Sequence, residues 1–244
     1  MKDANERRNR VLIIGIGGPS CGGKTTFARC LKSILPGSPN ILHQDDFYKT
    51  DSNIPIDPRT GYQNWDCPDA YDMQQLIATL KRVREGEVPV SRNSSVTDEE
   101  AIERVVRNPN ILGLKELKDM MLCCEREGWK FILVEGILLY SNPELTQEFD
   151  VKFFISASYD VLKHRRSSRK GYTTLEGFWE DPPNYFDDLV WPEYVKWNSN
   201  LLEGTKAPDG IWKVDSGECD IETSIQEGLR VILGEIIEKS QLSS

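Results

Sequence analysis

Short apolar runs recur along this chain, and between them lie stretches in which apolar residues return every three or four positions. VLII at 11–14, NIL at 40–42, FILV at 131–134, VKFFI at 151–155 and IWKV at 211–214 have the length and the branched or aromatic content of strands. Residues 25–35, 69–85, 114–127, 159–168 and 221–237 carry the helical spacing. Strand and helix alternate, which predicts an α/β fold: a five-stranded parallel sheet with helices on both faces. In such sheets ligands collect outside the carboxyl ends of the strands, so the residues just after each run are the ones to read for chemistry. Residues 91–112 break the rhythm. They are polar and irregular apart from a short helical pattern at 98–106 capped near Thr97, and are expected to form a surface insertion.

The first strand runs into Gly18-Pro19-Ser20-Cys21-Gly22-Gly23-Lys24-Thr25, which fits G-x-x-x-x-G-K-[ST], and a helix pattern follows at once from Thr26. Glycines let such a loop turn its backbone N–H groups around phosphate oxygens, and the helix adds its positive N-terminal end at the same spot. Lys24 is then placed to reach the β- and γ-phosphates, and the Thr25 hydroxyl to ligate Mg²⁺. The fold expected is therefore the three-layer type built on a phosphate loop, as a single domain over 1–244.

The second strand ends in His43-Gln44-Asp45-Asp46. Adjacent carboxylates at a strand end serve a sheet poorly, because buried charge is costly without partners. Asp45 is expected to face the phosphate loop, accept the proton of an attacking hydroxyl and align it with the γ-phosphate. The third strand ends in Glu135-Gly136; this carboxylate would hold Mg²⁺ opposite Thr25, or share with Asp45 the polarisation of the hydroxyl. After the fourth strand comes His164-Arg165-Arg166-Ser167-Ser168-Arg169. On a helix Arg165 and Arg169 share a face and Arg166 is turned away by roughly 100°, so phosphate and sugar could be served from different faces of a movable, arginine-bearing lid over residues 165–183.

Bulk properties narrow the partners. The formal charge of −9, without any run of Lys or Arg, argues against a nucleic-acid surface. Six cysteines without paired spacing and two histidines argue against a disulfide scaffold and a zinc site. No apolar run is long enough to span a membrane or act as an export signal, so a cytoplasmic protein with small-molecule partners is expected. Residues 1–10 are expected to be flexible and 239–244 to fray.

Taken together, GPSCGGKTT, QDDFYK, NWDCPDAYDM, ILVEGILLY, RRSSR and NYFDDLVWPEYVKW resemble the nicotinamide riboside kinases, relatives of uridine kinase within the P-loop kinase group. The resemblance runs in order from about Val11 to Trp197. It implies ATP- and Mg²⁺-dependent phosphorylation of the 5′-hydroxyl of nicotinamide riboside, in NAD synthesis. It also implies that residues 18–26, among them Ser20, Cys21, Gly22, Gly23 and Thr26, bind ATP phosphates with Arg165 and Arg169. Asp45 is then the catalytic carboxylate, with Thr25, Asp45 and Glu135 as the metal-side groups. Trp65 would stack on the pyridinium ring, Asp66 bind ribose hydroxyls, and Arg166 bind ribose.

The residues leave alternatives open. Trp65 would serve equally as core, and Asp66 as the N-cap of the following helix. The resemblance also implies a second ring on the base, for which Tyr172 is the nearest candidate, displaced by one residue, with Phe178 or Trp179 as alternatives in a lid that departs from the family's; Tyr185, Trp191 and Tyr194 read as packing. The loop at 215–217 is where such kinases would contact adenine. A uridine or cytidine kinase would differ only in the base pocket. A nucleotide-driven switch would need a residue positioning water, whereas this chain offers an acceptor-type aspartate.

Overall fold

The computed structural model describes residues 10–89, 99–107, 114–169, 171–174, 176–202 and 210–242. Five parallel strands form the sheet: β1 (Arg10–Gly17), β2 (Asn40–His43), β3 (Trp129–Gly136), β4 (Val151–Ser156) and β7 (Ile211–Asp215), in the order β2-β3-β1-β4-β7. All five predicted strands are present. The helices are α1 (Lys24–Ile34), α2 (Met73–Arg84), α3 (Glu99–Arg107), α4 (Leu114–Arg126), α5 (Pro143–Gln147), α6 (Tyr159–Ser167), α7 (Trp191–Leu202) and α8 (Ile221–Leu242).

Alternation along β1 sorts the core into two layers. Leu12, Ile14 and Ile16 face Phe27 and Leu31 of α1, Val105 of α3, Met121 of α4 and Ile225 and Leu229 of α8. Ile13 faces the other way, into a cluster with Leu76 and Leu80 of α2, Leu145 of α5, Leu162 of α6 and Leu201 of α7. A strand buried on both faces reads as an unbroken apolar run, which is why VLII carries no polar residue. The sheet order puts β1 at the centre with β2 and β3 to one side and β4 and β7 to the other. The carboxyl ends of β1, β2 and β3 therefore lie side by side; His43 pairs in register with Glu135, and Gly17 with Gly136.

Three expectations are corrected. The helix expected from 69 begins at Met73: Pro68–Ala70 forms a separate 3₁₀ turn, and the Asp72 side chain caps α2 by accepting from the Gln75 N–H at 2.9 Å. The segment 91–112 is not wholly a surface excursion, since Val105 on α3 is fully buried; 91–98 and 108–112 lie outside the described residues. Fraying does not begin at 239, because α8 continues to Leu242 and Lys239 pairs with Asp150 at 3.1 Å; 243–244 lie outside the described residues. Asp150 also accepts from the Ile13 N–H at 2.7 Å and lies 3.3 Å from Arg84, tying β1, α2 and α8 together at the amino end of β4. Residues 1–9 lie outside the described residues. Among the described residues no helix is long and apolar enough to cross a membrane.

Candidate active site

The loop between β1 and α1 is closed by local geometry. Gly18 has φ 144°, and a β-carbon there would lie 2.1 Å from the Ile155 carbonyl oxygen, so only glycine passes this close to β4. The turn continues with the Gly22 N–H donating to the Pro19 carbonyl at 3.1 Å. Cys21 holds φ 62°, a left-handed conformation that costs a non-glycine residue about 1–3 kcal/mol and marks a loop shaped for something other than stability. Ser20 is half-buried at the tip. Lys24 is buried and its Nζ donates to the Pro19 carbonyl at 2.8 Å, folding its ammonium back across the loop. Burial pulls the Lys24 pKa down, against the opposing pull of Glu135 and Asp45.

Beside the loop, Glu135 is the hub. Thr25 Oγ1 lies 2.9 and 2.8 Å from its two carboxylate oxygens, and His43 Nδ1 lies 2.5 Å from Oε1. Burial would raise the Glu135 pKa, but the His43 hydrogen bond and charge, with Lys24 and Thr25, bring it below the usual value, so the group is an acceptor and Nδ1 carries the proton. His43 was not singled out from sequence. Register could have found it, since the residue ending β2 stands opposite the residue ending β3 in a parallel pair. Gln44 is a second omission. Its side chain fills the space a β-carbon on Gly136 would take, 2.3 Å from Oε1, and Oε1 accepts from the Leu138 N–H at 3.0 Å. Gln44 thus clamps the end of β2 to the end of β3 and sets Asp45 next to Glu135.

Asp45 is exposed to the cleft, with Glu135, Lys24 and His43 near enough for their charges to act on it. Desolvation, then the like charge of Glu135, raises its pKa to about 6, with Lys24 and His43 opposing. Water reaching it from the cleft screens part of this effect. A hydroxyl and two carboxylates make an all-oxygen donor set, which suits Mg²⁺. That ion is usually held by one or two carboxylates plus substrate phosphates rather than by a protein cage. Two mutually repelling carboxyls are also what a divalent cation would relieve. The residues present fit the ion.

Arg165 and Arg166 divide as helical geometry predicts, whereas Arg169, expected on the same face as Arg165, lies past the end of α6 at Ser167. Arg165 donates to Ser216 Oγ at 2.9 Å, to the Ser216 carbonyl at 3.0 Å and to the Cys21 carbonyl at 3.4 Å, joining the phosphate loop to the loop after β7. Arg165 and Arg169 line a cavity of about 540 Å³ together with Gly23, Thr26, Ser216 and Arg104. Arg166 points elsewhere. It is buried, and its guanidinium forks onto Asp181 at 2.6 and 3.0 Å while lying 5.7 Å over the Tyr185 ring.

Asp181 is a third residue that sequence reading missed; its signal, an acid at the end of a lid rich in aromatics, was too weak to single out. It also accepts from Trp179 Nε1 at 3.0 Å. Trp179 belongs to a small hairpin, β5 (Tyr172–Thr173) with β6 (Phe178–Trp179), that is fastened to the opposite wall by Thr174 Oγ1 donating to Asp51 at 2.7 Å.

Trp65 is buried beneath that hairpin. Its ring lies 5.7 Å from Trp179 and 5.2 Å edge-on from Tyr48, and among the described residues its Nε1 has no acceptor. Asp66 is buried next to it; desolvation raises its pKa, with Arg166 opposing. It is not the cap of α2, a role Asp72 fills. Phe178 is exposed, and the Tyr172 side chain lies outside the described residues. Tyr185 is packing, with its hydroxyl donating to the Gln63 carbonyl at 2.7 Å, and Tyr194 stacks on Phe154 at 6.4 Å.

A phosphate loop on the central strand, carboxylates at the ends of two neighbouring strands and an arginine helix facing them define a P-loop kinase. A model of the phosphoribulokinase/uridine kinase family matches residues 13–174, and the chain belongs to that family. Among curated relatives, nicotinamide riboside kinase of Schizosaccharomyces pombe is 36% identical, the match covering 92% of this chain and 97% of that protein. Nicotinamide riboside kinase of Saccharomyces cerevisiae is 31% identical over 93% and 96%. Nicotinamide riboside kinase 1 of Homo sapiens is 28% identical over 83% and 89%.

Proposed function

We propose that this chain is a nicotinamide riboside kinase, transferring the γ-phosphoryl group of ATP to the 5′-hydroxyl of nicotinamide riboside. The observation that carries the reading is the Trp65–Asp66 corner, buried beside Arg166 and roofed by Trp179, on a site whose other side is a phosphate loop with Asp45 and Glu135. The similarity to relatives bearing that name over nearly their whole length supports it.

In this reading the loop 18–26 cradles the phosphates, with Lys24 swinging from the Pro19 carbonyl to the β- and γ-phosphates. Arg165 braces the loop edge against Ser216, and Arg169 faces the same cavity, which takes the nucleoside part of ATP. Asp45 accepts the 5′-hydroxyl proton. A pKa of about 6 leaves it largely ionised at neutral pH yet basic enough to take that proton. Thr25, Asp45 and Glu135 would hold Mg²⁺, which supplies charge neutralisation on the phosphates. His43 orients the Glu135 carboxylate.

On the acceptor side Trp65 faces the pyridinium ring and Trp179 is the second ring. A cationic ring between indoles gains about 1–2 kcal/mol when desolvated, a gain a neutral uracil lacks. Asp66 accepts from the ribose hydroxyls. Because Trp65 and Trp179 touch each other and Arg166 is engaged by Asp181, the hairpin must lift and Arg166 exchange Asp181 for ribose as the substrate enters.

The test is an acceptor panel with ATP and Mg²⁺: nicotinamide riboside, nicotinic acid riboside, uridine and cytidine. The expected outcome is a kcat/KM for nicotinamide riboside well above those for the pyrimidine nucleosides. Preference for uridine or cytidine would replace this reading with the pyrimidine one, and ATP hydrolysis indifferent to every acceptor would point to a switch.

A further inference from the structure

Helix α3 comes from the insertion that the chemistry above does not use, yet it is firmly seated. Val105 is fully buried in the layer that holds Phe27 and Ala28, Ile102 packs on the same layer, and the helix lies against α1 and α8. Arg104 is turned by about 100° from Val105. That rotation aims it along the surface, and its side chain lines the cavity between the phosphate loop and the start of α8. The neighbouring cation is spoken for: Arg107 pairs with Glu103 at 3.1 Å on the outer face. Arg104 has no carboxylate or hydrogen-bond partner among the described residues. An arginine at a cavity wall with no such partner among the described residues, in a chain with a formal charge of −9, can offer its planar face and N–H groups to a ligand.

Placement decides which part of the ligand it meets. The phosphates belong over residues 18–25, at the end of β1, where Lys24 and Thr25 lie. Arg104 sits on a helix that packs against α8, and the wall it shares includes Ile221, Glu222 and Ser224 at the start of α8 as well as Thr26 and Phe27 of α1. We propose that Arg104 holds the base-and-sugar end of the nucleotide phosphate donor, so that the insertion supplies a nucleotide-recognition residue to the site. This rests on the reading of the cavity as the nucleotide's.

The experiment is equilibrium binding of Mg·ADP and of Mg·tripolyphosphate to the full chain and to Arg104→Ala, Arg104→Gln and Arg107→Ala, with thermal melts to verify folding. Both Arg104 variants are expected to weaken ADP about five- to twenty-fold and to keep tripolyphosphate within about twofold, while Arg107→Ala matches the wild type. ADP affinity unchanged in both Arg104 variants would overturn the proposal. So would a proportional loss of tripolyphosphate, which would make Arg104 a phosphate contact, or an equal loss in Arg107→Ala, which would assign the effect to helix packing. Failure of the wild-type protein itself to bind ADP is the separate result that would remove the nucleotide reading of the cavity, and this inference with it.

Discussion

The two sides of the cleft are built differently. On the proposed phosphate-donor side the parts are neighbours in sequence or in strand register: residues 18–23 form one loop that runs directly into Lys24 and Thr25 of α1, and Thr25, Glu135 and His43 meet because β1, β3 and β2 are adjacent parallel strands. On the proposed acceptor side Trp65, Arg166, Trp179 and Asp181 come from three distant stretches and meet only through side-chain contacts between a loop, a helix end and a short hairpin. The first arrangement is held by the sheet and is rigid at no extra cost. The second is held by contacts that, in the proposed reading, a substrate would compete with, as a site that must open requires.

Changes on the proposed donor side should therefore strike the chemical step or the fold, and changes on the proposed acceptor side should strike riboside affinity. The largest effect is expected for Asp45→Asn, a drop in kcat of roughly 10²–10⁴-fold with ADP binding nearly intact, read by steady-state kinetics and calorimetry. An unchanged kcat would remove Asp45 from the chemistry. The same variant carries a pH signature. The folded pKa of about 6 lies above the ordinary 3.8, so the native protein binds more protons between those values and loses stability as pH rises through that window. Asn has no such loss. Asp45→Asn should therefore melt slightly higher than wild type at pH 7, with the difference vanishing toward pH 4.

Asp181→Ala comes next, because it strands the buried Arg166 guanidinium. Asp181 is itself 25% exposed, so the expected loss is about 2–3 kcal/mol in denaturant melts, below the 3–5 of a fully buried pair. Riboside should then raise the melting temperature of Asp181→Ala more than that of wild type, since the ligand supplies what Arg166 lost. Equal shifts would break the exchange idea.

Trp65→Phe should raise KM for nicotinamide riboside about five- to tenfold while KM for ATP holds, because the weaker quadrupole of benzene grips the cation less. Parallel changes in both constants would make Trp65 core alone. The smallest effect is expected back on the donor side. Tyr140 Oη lies 2.9 Å from both the Gly15 and Phe153 carbonyls, bracing β1 against β4. Tyr140→Phe should cost about 1 kcal/mol of stability and leave both KM values alone.

Legibility in the sequence follows the same division. The strand and helix periods gave up the sheet, and the placement of the loop, Asp45 and Glu135 along one edge was readable because strand ends in a parallel sheet converge there. His43 and Gln44 escaped notice because their roles depend on which strand lies beside which, and β2 pairs with β3 rather than with β1. Asp181 escaped because nothing local ties it to Arg166, fifteen positions away across the lid. The insertion helix was visible as a pattern, but not that Val105 would pack in the core and bring Arg104 to the cavity wall.

What the sequence by itself determined was the set of local structures and the anion cradle. Backbone sterics at Gly18, hydrophobic period and helix start signals act within a few residues and need no distant partner. What only the tertiary structure decided was the company each reactive side chain keeps. Arg166 on Asp181, Trp65 under Trp179 and His43 on Glu135 are pairings between segments far apart in the chain, and Arg104 and Arg169 share one cavity wall, all set by sheet order and layer packing. Burial and neighbouring charge then give each group its strength.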